Sequence, residues 1–136
     1  MAVWQFDLDF IGTDGGRTLA AEVTTALATH LKRVLGPSLP MLENWSYFGD
    51  KHANRIDVIR ERDGSAQIQA RVDARAASAD VFIAHVCDVA ANAGCMLFSE
   101  ELETTLDPKV REVMAALQRS AAWRFALDPA AFRPEV

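Results

Sequence analysis

Two runs of strict apolar–polar alternation flank an Asp-Gly turn in the middle of the chain. In the first, Ile56 and Val58 alternate with Arg55 and Asp57. In the second, Ile68, Ala70 and Val72 alternate with Gln67, Gln69, Arg71, Asp73 and Arg75. A period of two marks strands with one face on a core and the other in water. Parity sets the loop. Two residues, Asp63-Gly64, would place Ile56 opposite Arg71 and Val58 opposite Gln69, mixing the faces. Three residues, Arg62-Asp63-Gly64 with Gly64 left-handed, place Val58 opposite Ile68 and Ile56 opposite Ala70. The three-residue loop is predicted, because a one-residue slip would turn the whole apolar set to water. Arg55, Asp57, Gln69, Arg71, Asp73 and Arg75 then form a charge lattice on the outer face, a candidate binding surface.

Around this hairpin the same reasoning places six further elements. Trp4, Phe6, Leu8 and Phe10 alternate with Gln5, Asp7 and Asp9, giving a first strand that Gly12-Thr13-Asp14-Gly15-Gly16 ends. Leu19, Val23, Ala26, Leu27, His30, Leu31 and Val34 recur at helical spacing, and Gly36-Pro37 stops that helix. Pro37 to Pro40 reads as a loop. Glu43 to Phe48 reads as a second strand, with Trp45 and Tyr47 on one face and Phe48 on the other. A second helix is capped at Ser78, with Asp80 in its first turn, and buries Phe82, Val86, Val89 and Ala93 before Gly94. Cys95 to Phe98 reads as a fifth strand. Asp107-Pro108 starts a third helix burying Val110, Val113, Met114, Leu117 and Ala121. Trp123, Phe125, Leu127 and Phe132 are expected to pack back onto the body. The order β-α-β-β-β-α-β-α predicts one α+β domain over residues 1–136. Its sheet is five-stranded and mainly antiparallel, with the helices on one face.

Composition narrows the function. Half of the 136 residues are hydrophobic and 24% charged, enough for a real core. A net charge of -5 argues against nucleic acid and permits a basic protein partner. Cys87 and Cys95 form neither a disulfide framework nor a metal site, so no cofactor is expected. The segment up to Phe10 carries Asp7 and Asp9 and does not read as a signal peptide. No apolar run reaches membrane-spanning length, and a cytoplasmic location is expected.

No catalytic constellation stands out. Gly12-x-x-Gly15-Gly16 lacks both the P-loop and the dinucleotide spacing and reads as a turn. His85 and Cys87 lie two apart on a helix, about 200° around it, and cannot form a dyad. His85 reads as structural, and His30 as a favourable charge at a helix end. His52, beside Asp50 and Lys51, is the histidine worth testing for chemistry. Asp57 and Asp73 share a face with Arg55, Arg71 and Arg75, which would hold both ionised, so a charge lattice is preferred over an acid–base pair. Ser99 to Asp107 gathers Glu100, Glu101, Glu103 and Asp107 without a basic residue. These either solvate a loop ahead of a helix or steer a basic partner.

Four stretches are similar to small bacterial immunity proteins of polymorphic toxin systems, including contact-dependent growth inhibition. They are Trp45-Ser46-Tyr47-Phe48-Gly49, Asn54-Arg55-Ile56-Asp57, Arg71-Val72-Asp73-Ala74-Arg75 and the segment Ser120 to Pro129. The resemblance implies an acidic, cytoplasmic, non-enzymatic α+β protein that binds one cognate toxin domain, commonly a nuclease, and blocks its active site. It supplies no contact residues. The contact surface expected from the residues themselves comprises Glu100, Glu101, Glu103, Asp107, Tyr47, Arg55, Asp57, Arg71, Asp73 and Arg75. A small-ligand or enzymatic domain with a site near His52, Asp57 and Asp73, and a structural homodimer, remain the alternatives.

Overall fold

A computed structural model describes residues 2–131. Eight strands and four helices run in the order β1 (Gln5–Ile11), β2 (Thr18–Leu19), α1 (Ala21–Leu35), β3 (Leu39–Leu42), β4 (Trp45–Gly49), β5 (Arg55–Arg60), β6 (Ala66–Asp73), α2 (Ala79–Asn92), β7 (Met96–Ser99), β8 (Thr104–Leu106), α3 (Val110–Gln118) and α4 (Ala121–Leu127). A 3-10 turn, Pro129–Ala131, follows. The class is α+β, with one antiparallel sheet ordered β3-β4-β5-β6-β1-β7-β8; β2 also pairs with β6. The first strand therefore lies inside the sheet, held by β6 on one side and β7 on the other.

The hairpin has the predicted register. Ile56 faces Ala70 and Val58 faces Ile68. Glu61 N–H donates to Ser65 O, Gly64 N–H donates to Glu61 O, and Gly64 sits at φ +87°. Three residues thus turn the chain, and both apolar sets stay on one face. Phe6, Leu8, Phe10, Phe48, Ile56, Val58, Ile68, Ala70 and Val72 meet the buried stripes of α1 to α3, where Leu27, Leu31, Ile83, Val86, Val89, Val113 and Leu117 are enclosed.

The sheet has eight strands rather than five. β2 is two residues long, too short for a periodic signal. β3 contains Pro40 and a bulge between Pro40 and Leu42, features of an edge strand that read as a loop in sequence. β8 lies inside the acidic run, whose four-residue turn Glu100–Glu103 joins it to β7. The third helix begins at Val110, and Glu112 Oε2 accepts from Asp107 N–H across its entry. It ends at Gln118. Ala121 belongs to a separate helix α4, capped by the Ser120 hydroxyl accepting from Trp123 N–H. In α1, Ala26 is exposed and Thr24 takes a buried place, its hydroxyl donating to Leu19 O. Ser78 begins α2 without a side-chain cap, and Ala93 is only partly buried. In the tail, Trp123 and Phe125 are half-buried, but Leu127 is 70% exposed. Phe132 lies outside the described residues.

Candidate functional site

Cross-strand register assembles the second face of the sheet. Residues directly opposite one another in a ladder share a face. One row therefore crosses seven strands: Leu39, Tyr47, Asp57, Gln69, Asp9, Phe98 and Thr105. Next to it run Leu42, Trp45, Ile59 and Gln67 on one side and Gly49, Arg55, Arg71 and Asp7 on the other. This face has two characters. The β3–β5 corner is apolar, with Leu39, Leu42 and Ile59 at 49%, 66% and 39% exposure beside Trp45. The middle is charged.

Asp57 holds the charged middle together. Its carboxylate is 2% exposed, with Arg55 Nε 3.0 Å from Oδ1 and Arg71 Nε 2.8 Å from Oδ2. Neither Nε–H is aimed well enough to be a directed hydrogen bond; the contact is ionic, supplemented by Arg55 Nη2 donating to Oδ2 at 3.3 Å. Because β5 and β6 place Arg55 and Arg71 directly opposite, two like charges sit side by side with one carboxylate between them. Asp73 is held separately. It takes Arg75 Nε at 3.0 Å and Nη2 at 2.9 Å, and Arg75 lies 3.9 Å above the Trp4 ring. The two aspartates are thus each neutralised by their own arginines and do not form a carboxylate dyad.

Asp7, opposite Arg71 on β1, has its pKa raised, chiefly by burial; a hydrogen bond from Gln5 and the charge of Arg71 only partly offset this. A raised carboxyl pKa means that the fold holds this proton more tightly than the unfolded chain does. The site is then most favourable to folding below the unfolded pKa of about 4 and loses that contribution as pH rises through the folded value. Asp7→Asn is therefore expected to gain stability relative to the parent as pH rises from about 3 to 7. Urea midpoints at both pH values check this; an unchanged difference would show that Arg71 compensates the burial.

The structure brings Tyr47, Arg55, Asp57, Arg71 and Asp73 onto one surface, with Arg75 at its rim. Tyr47 is buried to 8% exposure, which removes most of it from any contact. The acidic residues divide. Glu100 joins the β7 end of the face through Arg17, which lies 3.6 Å from Glu100, 3.7 Å from Asp9 and over the Phe98 ring. Glu101 accepts from Ala121 N–H at the start of α4, Glu103 occupies the turn at φ +49°, and Asp107 follows β8. Arg17 and Asp9 escaped sequence reasoning because their partners lie on other strands.

Elsewhere, the Gly12–Gly16 turn spends its amides internally: Gly12 N–H donates to Gly16 O, Gly15 N–H to Gly12 O and Gly16 N–H to Asp14 Oδ1. That takes all three of the glycine amides that a phosphate loop would present. His30 Nε2 lies 3.0 Å from Asp88 Oδ2, linking α1 to α2 rather than only completing a helix end. Burial pushes the Cys87 thiol up to about 11 and raises Cys95 as well, the opposite of a nucleophile's requirement. Among the described residues no three His, Cys, Asp or Glu side chains are grouped to hold a metal, and no helix is long and apolar enough to cross a membrane. Comparison with protein-family models, with curated proteins and with solved structures found no match.

Proposed function

We propose that this chain is an immunity protein that binds a cognate toxin domain and covers its active site with the second face of the sheet. The observation that carries this reading is the composition of that face. Exposed Leu39, Leu42 and Ile59 adjoin Trp45, and a fixed arginine–aspartate lattice begins one row away. Aromatic and aliphatic anchors beside ordered arginines are what a protein–protein interface concentrates. The net charge of -5 suits a basic partner such as a nuclease. Edge-to-edge pairing of two copies is a weaker reading: Pro40 and the bulge interrupt β3, and β8 at the other edge is three residues long.

The test uses the tagged full chain to capture partners from the producing bacterium, beside the variants Leu42→Asp and Ile59→Asp. One stoichiometric basic protein is expected, with affinity for the isolated partner falling at least about tenfold in either variant. Replacing Glu100 and Glu103 by Lys should slow association at low salt and have less effect at high salt. No partner, or equal binding by the face variants, overturns the reading.

A further inference from the structure

One end of the same face holds a cleft of about 350 Å³ whose charge contradicts that of the whole protein. Three distant segments build it. Ala2, Trp4 and Gln5 come from the entry to β1, Lys51, His52 and Ala53 from the β4–β5 turn, and Arg55, Arg71, Asp73 and Arg75 from the hairpin. Four permanent cations thus line the cleft against the single carboxylate of Asp73. The cations still outnumber the carboxylates when Asp57, behind Arg55 and Arg71, and Asp7, beside Arg71, are included. In a chain of net charge -5, this is a local reversal of sign.

The three arginines are also held in place. Arg75 is fixed from two sides by its paired bonds to Asp73 and by the Trp4 ring. Arg55 donates through Nη1 to Lys51 O at 2.8 Å, tying the β4–β5 turn to β5, while Asn54 Oδ1 accepts from Asp73 N–H at 2.7 Å and ties it to β6. Arg71 meets Asp57 through Nε at 2.8 Å, and its side chain keeps 26% of its surface exposed. An arginine clamped at one edge and open at the other is organised to receive an oxyanion at low entropic cost.

We propose that this cleft binds a phosphate monoester. Phosphate is favoured over carboxylate because it offers three terminal oxygens and up to two charges to a site with excess cation and many N–H donors. A monoester is favoured over the bare ion because the volume matches the lower end of the range, about 300–1,000 Å³, that holds small organic ligands. Trp4, Ala2 and Ala53 supply a less polar wall for the organic part. The site does not depend on toxin binding, and the two readings fail separately: one by partner capture, the other by titration of the purified chain.

The test is a titration of the isotope-labelled full chain with phenyl phosphate, inorganic phosphate and acetate at constant ionic strength, read by NMR. Saturable shifts are expected at the Trp4 indole and at the amides of residues 51–55 and 71–75, with phenyl phosphate binding more tightly than phosphate and acetate failing to saturate. Arg71→Gln should weaken phenyl phosphate about tenfold. Lys51→Gln, which breaks no ion pair among the described residues, should weaken it about threefold to fivefold and keeps the test decisive should the arginine variant fail to fold. Shifts that never saturate, or unchanged affinity in Lys51→Gln, would remove the site. Acetate binding as well as phosphate would replace the assignment with a carboxylate site.

Discussion

Asp57→Asn is expected to destabilise the fold by about 2–4 kcal/mol, lowering the unfolding midpoint by roughly 10 °C. The carboxamide is nearly the same size, so packing is preserved and the loss is electrostatic. Arg55 and Arg71 would remain opposite each other, at 15% and 26% side-chain exposure, with no counter-charge between them. Partial exposure keeps the figure below that of a fully enclosed pair. Replacing Asp57, Arg55 and Arg71 together by apolar residues of similar volume should restore most of the lost stability, since the triad's own desolvation then disappears. Urea unfolding measures both variants. A loss under about 1 kcal/mol for Asp57→Asn would mean that water already screens the arginines.

Gly49→Ala is expected to cost a comparable amount, about 2–4 kcal/mol, for a different reason. Gly49 ends β4 at φ +97°, and a Cβ there would lie 2.7 Å from Asn54 O and 3.3 Å from Arg55 Cα. Both obstacles are backbone. Asn54 O also accepts from Asp50 N–H, so it cannot retreat without opening the turn. Gly94 provides the control: it too has positive φ, at +71°, but nothing lies within 4 Å of its added Cβ. Gly94→Ala should therefore show only the left-handed penalty of about 1 kcal/mol. Equal losses in the two variants would show that the close approach at Gly49 relaxes freely. Because residues 51–53 line the cationic cleft, Gly49→Ala should also weaken anion binding, whereas Gly94→Ala should not.

The hairpin was legible because two independent constraints agreed there: Ile56, Val58, Ile68 and Ala70 fixed the faces, and Gly64 fixed the turn. The outer charge lattice followed from the same parity. What escaped reading was either short or non-local. Thr18–Leu19 gives no periodicity over two residues. Pro40 disguised β3, and Glu103 disguised the turn into β8, since a glutamate at φ +49° carries no turn signal of its own. The break between α3 and α4 was announced by Ser120, a cap residue read as helix interior. The cleft was the least legible feature. Lys51, Arg71 and Arg75 are ordinary surface residues in sequence, and they converge only because β4–β5 and β6 end beside the entry to β1. His52 was singled out, and it does line that cleft, among four cations and the carboxylate of Asp73, which Arg75 already holds.

The interior position of β1 also governs how the chain can assemble during synthesis. Among the described strands β1 is made before the rest, yet β6 is completed about 60 residues later and β7 nearly 90 residues later. At about 5–20 residues per second, Phe6, Leu8 and Phe10 wait several seconds for their flanking strands. The β4–β5 and β5–β6 hairpins close locally in microseconds, whereas seating β1 requires closing the longest loops in the sheet. The first of these strands to be made is among the last to be locked.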